Sequence, residues 1–363
     1  MVTFQSSDLD RRLNLIKEVG HEIITEEDLL KLLAEKKRPV AYDGFEPSGK
    51  MHLAQGILRA ININKMTKAG CKFKMLVADW HAWANDKMNG NLENIQTVGK
   101  YFIEVWKACG LETENVEFVW SNDIVSDRNY WKIVMTVARN NTVKRMKRCA
   151  QIMGRSESES LSAAQILYPC MQAADIFYLK ADIAQLGMDQ RKVNVLAREI
   201  GDKIGFWKPV VVSHLMLMGL NKPPETKDAI ERTVEMKMSK SKPDSAIFMT
   251  DSEEEINKKI DKAYCPEKQI QDNPILEYCK HIIFQKFDKM KIERSEKFGG
   301  DLEFENYQEL EETYKKGFLH PLDLKKAVAF YINKTLEPVR KYFEKNKKAA
   351  ELLEQVKKME ITR

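Results

Sequence analysis

Short apolar runs and helix-spaced apolar positions follow one another along the first 250 residues of the chain. Apolar residues three or four apart predict helices over residues 8–36, 52–68, most of 94–150, 162–180 and 192–200. Short apolar runs typical of buried strands lie between them, at residues 39–42, 73–78, 116–120 and 210–212. Strands that alternate with helices in this way predict a parallel α/β sheet.

The pattern changes near residue 250, after which apolar runs of strand type stop. Helical spacing continues to the end of the chain and is broken by glycines at Gly299, Gly300 and Gly317. We therefore place a domain boundary near residue 250. An α/β domain is expected over residues 1–250 and an all-α domain over residues 251–363.

Composition agrees with two globular domains and limits the function classes. The chain has 363 residues, of which 43% are hydrophobic and 31% charged, and its net charge is only +5. This small surplus allows a nucleic-acid partner on one face without requiring one. The six cysteines contain no C-x-x-C pair, and no run of 18 apolar residues occurs. We expect a protein of a reducing intracellular compartment that is not embedded in a membrane.

The glycine-rich turn after the first apolar run could hold phosphates. Residues 44–50 read G-x-x-x-x-G-K, as in a P-loop, but the next residue is Met51 rather than Ser or Thr. Pro47 also removes one of the backbone donors that such a loop needs. A P-loop NTPase is therefore a less favoured alternative, and an ordinary strand-to-helix turn is the other.

The predicted helix over residues 162–180 carries a narrow polar stripe. Tyr168, Gln172 and Asp175 are spaced to share one face, and the residues around them are mostly apolar. Buried polar groups need partners, so the stripe predicts a small polar cavity that suits a ligand with an ammonium and a hydroxyl group. An internal hydrogen-bond network is the alternative.

Three further strings suit the binding of a nucleotide. His52 begins a predicted helix, whose N-terminus attracts phosphate, although a capping role is as plausible there. Asp189 follows an apolar strand, where an acid can accept from ribose hydroxyls or simply start a helix. Residues 237–241 read K-M-S-K-S, whose cations can stabilise a departing pyrophosphate.

Together these strings resemble the class I aminoacyl-tRNA synthetases, in detail the tyrosine enzymes of archaeal and eukaryotic type. The resemblance rests on YDGFEPSGKMHLAQG (residues 42–56), VADWHAWANDK (77–87), YPCMQAADIFYLKAD (168–182), GMDQRK (187–192), KMSKS (237–241) and GFLHPLDLKKAVAFYINKTLEPVR (317–340). It implies a Rossmann-like parallel-sheet catalytic domain with a helical insertion, followed by an all-α anticodon-binding domain. The implied parts are N-terminal helices 1–38, sheet halves 39–84 and 166–212, a helical insertion 85–165 and a KMSKS loop region 213–250.

The resemblance also implies roles for individual residues. The substrate tyrosine would contact Tyr42, Tyr168, Gln172, Asp175 and Gln190. ATP would contact Gly44, His52, Gln55, Asp189, Lys237, Ser239 and Lys240, with His52, Gln55, Lys237 and Lys240 assisting the reaction. The chain departs from the family signature His-x-Gly-His, since residues 52–55 read His-Leu-Ala-Gln. Gln55 can donate a hydrogen bond but carries no charge.

The implied activity is the two-step attachment of L-tyrosine to tRNA(Tyr), with ATP as substrate and Mg²⁺ accompanying it. A homodimer in the cytoplasm is implied as well, with the region around residues 85–165 as the dimer surface. Two alternatives remain beside the P-loop NTPase. One is the tryptophan enzyme of the same class, and the other is a non-catalytic tRNA-binding relative.

Overall fold

A six-stranded sheet forms the centre of the first 214 residues. The computed structural model describes residues 6–154, 160–224, 236, 238 and 243–359. The strands are β1 (Glu22–Ile24), β2 (Val40–Phe45), β3 (Lys72–Val77), β4 (Val116–Trp120), β5 (Ile183–Gly187) and β6 (Val210–His214). Their order across the sheet is β1-β6-β5-β2-β3-β4. Strands β2 to β6 are parallel to one another, and β1 pairs antiparallel with β6 at one edge of the sheet.

Helices pack against this sheet. They are α1 (Ser6–Val19), α2 (Glu26–Glu35), α3 (Ile57–Lys68), α4 (Asp79–Ala84), α5 (Leu92–Ala108), α6 (Ser121–Ile124), α7 (Arg128–Arg139), α8 (Val143–Cys149), α9 (Ala163–Tyr178) and α10 (Arg191–Ile200). Alternate residues of β3 enter different core clusters, Met75 one and Leu76 the other. Because successive strand side chains point to opposite faces, the sheet is buried on both sides. The α/β prediction is confirmed.

The sheet contains a topological switch point beside β2. The connection that follows β2 leads to β3, its neighbour on one side. On the other side of β2 lies β5, and the connection that follows β5 leads away from β2, to β6. Phe45 is in register with Val77, and Gly187 with His214, so the carboxyl ends of these strands lie at one edge. Ligands of open α/β sheets bind at this edge, where neighbouring connections diverge.

The start of α9 is fixed by a local capping box. The side chain of Ser162 accepts a hydrogen bond from the Gln165 backbone N–H, and the Gln165 side chain accepts one from the Ser162 N–H. Two otherwise unpaired donors at the helix terminus are thus satisfied. Since Tyr168 lies in the next turn, this cap sets the position of the polar stripe.

The strand β4 corrects one predicted boundary. It pairs with β3 from Phe73↔Val116 to Val77↔Trp120, so it belongs to the main sheet. Residues 85–165 were expected to be a helical insertion after a sheet half that ends at residue 84. Instead, α5 is the crossover between β3 and β4, and the first half of the sheet extends to Trp120.

The region after residue 250 is mainly helical, as predicted. It comprises α11 (Glu253–Lys262), α12 (Pro274–Tyr278), a π-helical turn (Cys279–Ile283), α13 (Phe284–Lys286), α14 (Tyr307–Lys316), α15 (Pro321–Lys345) and α16 (Lys347–Lys358). A small antiparallel pair, β7 (Met290–Ile292) with β8 (Leu302–Phe304), was not predicted. Strands of three residues are too short to show an alternating pattern.

The helical region packs directly on the sheet domain through α5. Tyr342 of α15 donates a hydrogen bond to Glu104 Oε2 at 2.5 Å, and the rings of Tyr101 and Phe343 lie 5.8 Å apart. Within the described part of the chain, no helix combines the length and apolar content needed to cross a bilayer.

Candidate active site

A cavity of about 490 Å³ opens at the carboxyl ends of β2 and β5, at the switch point. Its lining brings together all the described residues that the sequence predicted for the site, namely Tyr42, Gly44, His52, Gln55, Tyr168, Gln172, Asp175, Asp189 and Gln190. Of the K-M-S-K-S string, Met238 also lines the cavity. The predicted residues Lys237, Ser239 and Lys240 lie outside the described residues.

Asp175 is the fully buried acid of this cavity and is surrounded by donors. Tyr130 of α7 donates to Asp175 Oδ1 at 2.9 Å, and His81 Nε2 of α4 lies 3.0 Å from Oδ2. Tyr42 of β2 is the third neighbour of this carboxylate. A carboxylate has about four acceptor positions, so these three neighbours leave capacity for the hydroxyl of a ligand.

The protonation states around Asp175 follow from burial and its negative charge. Burial, and then the adjacent Asp175 carboxylate, raise the pKa of Tyr42 and of Tyr130 well above the ordinary value. Both phenols therefore stay protonated and act as donors. Burial alone would lower the pKa of His81, but the Asp175 carboxylate outweighs it and the pKa is raised.

A second polar group lies one helical turn before Asp175. Gln172 Nε2 donates to Gln190 Oε1 at 3.1 Å, and Gln190 Nε2 donates to the Ile152 carbonyl at 3.1 Å. Gln190 follows β5, so this contact joins the end of a strand to the polar face of α9. The amide oxygen of Gln172 is not used in either bond and can accept from an ammonium group.

Glu46, just beyond β2, completes this polar group. Asn85 Nδ2 donates to Glu46 Oε1 at 3.0 Å, and Lys87 Nζ lies 3.8 Å from Oε2. Tyr168 lies near Glu46, and burial followed by that carboxylate raises the pKa of Tyr168 well above the ordinary value. A cation in the cavity would thus meet a carboxylate, a phenol and amide oxygens.

The turn after β5 places Asp189 at the cavity wall. A Cβ atom on Gly187 would come within 2.5 Å of Asp189 Oδ1 and 2.8 Å of Met216 Sδ. Real Cβ atoms do not approach so closely, so the glycine is what permits the Asp189 side chain to fold back here.

The placement of His52 at a helix start was wrong. Helix α3 begins only at Ile57, and His52 instead forms a β-bridge with Phe248. The Leu53 N–H donates to the Ile247 carbonyl at 2.8 Å, so this backbone is already paired. His52 pairs with a distant part of the chain, which local sequence does not reveal, and residues 53–56 form a turn before α3. His52 and Gln55 nevertheless line the cavity.

The geometry does not favour the P-loop alternative. Lys50 is followed by a non-helical segment up to Gly56, so the glycine turn does not lead into a helix N-terminus. Asp79, the first residue of α4, follows β3 where a P-loop protein would carry its magnesium-binding acid, and it is fully buried. It accepts from Ser121 Oγ at 2.6 Å, from the Asn122 N–H at 3.0 Å and from Gln96 Nε2 at 3.0 Å. These bonds make Asp79 a structural link between β3 and β4.

The sequence missed several polar residues of the site. Tyr130 occupies the same helix face as the buried Val134 and Val137 and reads as one more core position. His81 belongs to residues 77–87, one of the segments that carry the resemblance, but no role was predicted for it. Only the packing of α4 and α7 against α9 brings these two side chains to Asp175.

Among the described residues, no group of three or more His, Cys, Asp or Glu side chains is arranged to hold a metal ion.

Comparison with known families agrees with the resemblance seen in the sequence. Residues 34–337 match the family model described as tRNA synthetases class I (W and Y). The chain belongs to this family. We therefore interpret the cavity by comparison with other members of this family.

Individual relatives are similar over nearly the whole chain. Tyrosine–tRNA ligase 1, cytoplasmic, of Arabidopsis thaliana is 51% identical over 99% of this chain and 91% of its own length. A tyrosyl-tRNA synthetase structure from Pyrococcus horikoshii, complexed with L-tyrosine, has 40% identity, a TM-score of 0.89 and coverage of 95% and 99%. A Leishmania major tyrosyl-tRNA synthetase with tyrosinol has 45% identity and a TM-score of 0.87. There the match covers 96% of this chain but only 60% of the other.

Proposed function

We propose that this protein attaches L-tyrosine to tRNA(Tyr), using ATP, as a tyrosine–tRNA ligase. The observation that carries the proposal is the buried Asp175 carboxylate, which lies beside the Tyr42 phenol in the cavity at the switch point. The similarity to tyrosine–tRNA ligases over nearly the whole chain supports the same activity.

The substrate tyrosine would lie along α9, with its hydroxyl at Asp175 and Tyr42. Its ammonium group would then meet Gln172 one turn earlier on α9 and Tyr168 two turns earlier, together with Gln190. Glu46 adds a carboxylate acceptor at that end, with Lys87 Nζ 3.8 Å from its Oε2.

ATP would occupy the part of the cavity near Gly44, His52, Gln55 and Asp189. Asp189 suits a ribose, since a carboxylate accepts from vicinal hydroxyl groups. Lys237, Ser239 and Lys240 are assigned to the β- and γ-phosphates by the sequence string alone. Mg²⁺ would accompany ATP and add positive charge at the phosphates.

In the first step, the tyrosine carboxylate attacks the α-phosphorus of ATP in line, and pyrophosphate leaves with its bonding electrons. A mixed anhydride, tyrosyl-adenylate, is formed. No side chain has to act as a nucleophile, so the chain contributes orientation and charge stabilisation. His52, Gln55, Lys237 and Lys240 would act on the phosphates as charge builds on the leaving group.

In the second step, the 2′-hydroxyl of the terminal adenosine of tRNA attacks the tyrosyl carbonyl, and AMP leaves. The helical region from residue 251 would bind the anticodon. Its packing on α5 supports this assignment, because the hydrogen bond from Tyr342 to Glu104 joins the helical region to the sheet domain.

We also infer a homodimer and a cytoplasmic location. Met135 of α7 is 53% exposed and Val143 of α8 is 60% exposed, both within the region expected to form the dimer surface. Large exposed apolar side chains suit a surface that a second copy covers. The cytoplasmic location is supported by the name of the Arabidopsis relative.

Tyrosine-dependent exchange of pyrophosphate into ATP tests the proposal. Exchange that requires tyrosine, and that tryptophan and phenylalanine do not support, is expected. Exchange with tryptophan instead would assign the tryptophan activity of the same class. Absence of exchange, with tRNA binding retained, would indicate a non-catalytic tRNA-binding protein.

A further inference from the structure

A second polar cluster lies at the wall of the cavity, on the opposite face of β2 from Tyr42. Asp43 follows Tyr42 in the strand and is 1% exposed. Arg59 of α3 places Nη1 2.9 Å from Asp43 Oδ2, and its guanidinium lies 4.8 Å from the centre of the Phe45 ring. Both charged residues line the cavity.

Gln185 in the middle of β5 and His214 at the end of β6 complete this cluster. Arg59 Nη1 lies 2.8 Å from His214 Nδ1, and Gln185 Nε2 lies 2.8 Å from the same nitrogen. Burial, and then the positive charge of Arg59, hold the pKa of His214 well below its ordinary value. The neutral ring can therefore accept hydrogen bonds. Asp43, Arg59, Gln185 and His214 form what we call the Arg59 cluster.

The guanidinium of Arg59 has donors that these contacts do not use. It carries five N–H groups, and Asp43 and His214 both meet Nη1. Nε is enclosed by protein and has no hydrogen-bond partner in the described part of the chain, so the donors that a ligand could meet are those of the terminal nitrogens. A buried ion pair is weak evidence for a stabilising role, because desolvation offsets the attraction. Fixed polar groups in a cavity wall are what orient a ligand.

The position of the cluster indicates which part of a ligand it meets. A Cβ atom on Gly187 would lie 3.4 Å from His214 Nε2 and 2.5 Å from Asp189 Oδ1, so both side chains adjoin the same glycine. The cluster is thus next to the acid assigned to the ribose. Since Asp43 balances much of the charge of Arg59, the spare donors suit the uncharged acceptors of a nucleoside.

We propose that Arg59 is a further nucleotide-binding residue, which donates to the nucleoside part of ATP, and that Asp43 and His214 are its positioning residues. The inference rests on the proposed function. It adds a contact that the sequence strings did not predict, and it assigns the contact to ATP rather than to tyrosine.

Arg59→Gln tests this inference, with Lys68→Gln as the matched control. Lys68 lies on the same helix and makes an exposed ion pair with Glu112 at 3.1 Å. Loss of one buried hydrogen bond predicts that the KM for ATP in pyrophosphate exchange rises about 5- to 30-fold in Arg59→Gln. The Kd for tyrosine should stay within about twofold of the wild-type value. Inhibition by adenosine should weaken by the same factor as ATP binding.

A double variant, Asp43→Leu with Arg59→Leu, guards against a folding defect. Replacing both charges by apolar side chains avoids a lone buried ion, so the far-ultraviolet circular dichroism should be kept while the ATP defect remains. A folded Arg59→Gln protein with the wild-type KM for ATP would overturn the inference. Weakened ATP binding with unchanged adenosine inhibition would overturn the nucleoside assignment. If the wild-type protein shows no tyrosine-dependent exchange, the proposed function itself fails.

Discussion

Tyr130 and Asp175 lie 45 residues apart in the chain, yet the Tyr130 hydroxyl donates a hydrogen bond to the buried Asp175 carboxylate at 2.9 Å. The contact connects α7 to α9 and holds the acid that we assign to the substrate hydroxyl. Tyr130 thereby becomes part of the recognition site although it contributes nothing recognisable to the sequence strings.

Removal of the Tyr130 hydroxyl should weaken the binding of the substrate tyrosine without affecting the binding of ATP. Tyr130→Phe keeps the ring but leaves Asp175 with one donor fewer, so we expect the KM for tyrosine in pyrophosphate exchange to rise about 5- to 30-fold. Tyr178→Phe is the matched control, since its ring packs 5.6 Å from that of Tyr130 and its hydroxyl meets only the outer Asp127. Equal effects of the two changes would contradict the assignment.

Asp175 itself should determine the preference for tyrosine over phenylalanine. A buried site that hydrogen-bonds a substrate hydroxyl typically rejects the analogue without it by about 10⁴–10⁵-fold, a range for which tyrosine enzymes of this family are the reference case. Asp175→Ala should remove most of this discrimination, measured as the ratio of kcat/KM for the two amino acids in exchange. Asp123→Asn, at an exposed position, should leave the ratio unchanged. An Asp175→Ala enzyme with the wild-type preference would refute the hydroxyl contact.

The lysines of the K-M-S-K-S string should matter more than Lys50 of the glycine turn. Lys237→Ala and Lys240→Ala remove cations that would stabilise departing pyrophosphate, so kcat for exchange should fall by about 10²-fold or more. Lys50→Ala should have a small effect, because its turn does not lead into a helix N-terminus. The reverse ranking would favour the P-loop alternative.

Asp43 should give the stability of the protein a distinctive dependence on pH. Burial raises the pKa of Asp43 to about 7 from the ordinary 3.8, against the opposing effect of Arg59. Between these values the folded state binds the proton more tightly than the unfolded state, so stability falls as the pH rises through this window. Relative to Asp43→Asn, the free energy of urea unfolding should fall by up to roughly 4 kcal/mol between pH 4 and pH 7.5. A pH-independent difference would show that Asp43 is not protonated in the folded state.

A charge on the exposed face of α7 should disrupt the proposed dimer. Met135→Glu places a carboxylate where a second copy would pack, so light scattering after gel filtration should show a monomer where the wild type is a dimer. Met135→Leu, which keeps the apolar surface, is the control. A wild-type protein that is monomeric at micromolar concentration would contradict the dimer directly.

The sequence by itself determined the architecture and nine of the residues that line the cavity. Apolar runs alternating with helical spacing were enough for the α/β sheet, because these patterns report burial along a single element. The stripe formed by Tyr168, Gln172 and Asp175 was visible for the same reason, since all three residues belong to one helix. The strings around residues 42–56 and 187–192 carried the resemblance to the family.

Only the tertiary structure decided what surrounds that stripe. His81, Tyr130, Asp43 and Arg59 lie on separate elements, and no local pattern distinguishes their side chains from ordinary core or surface positions. The extended conformation of His52 depends on pairing with Phe248, almost 200 residues later. Such contacts arise when elements pack, because the partner that satisfies a buried polar group is then chosen by distance in space and not by separation along the chain.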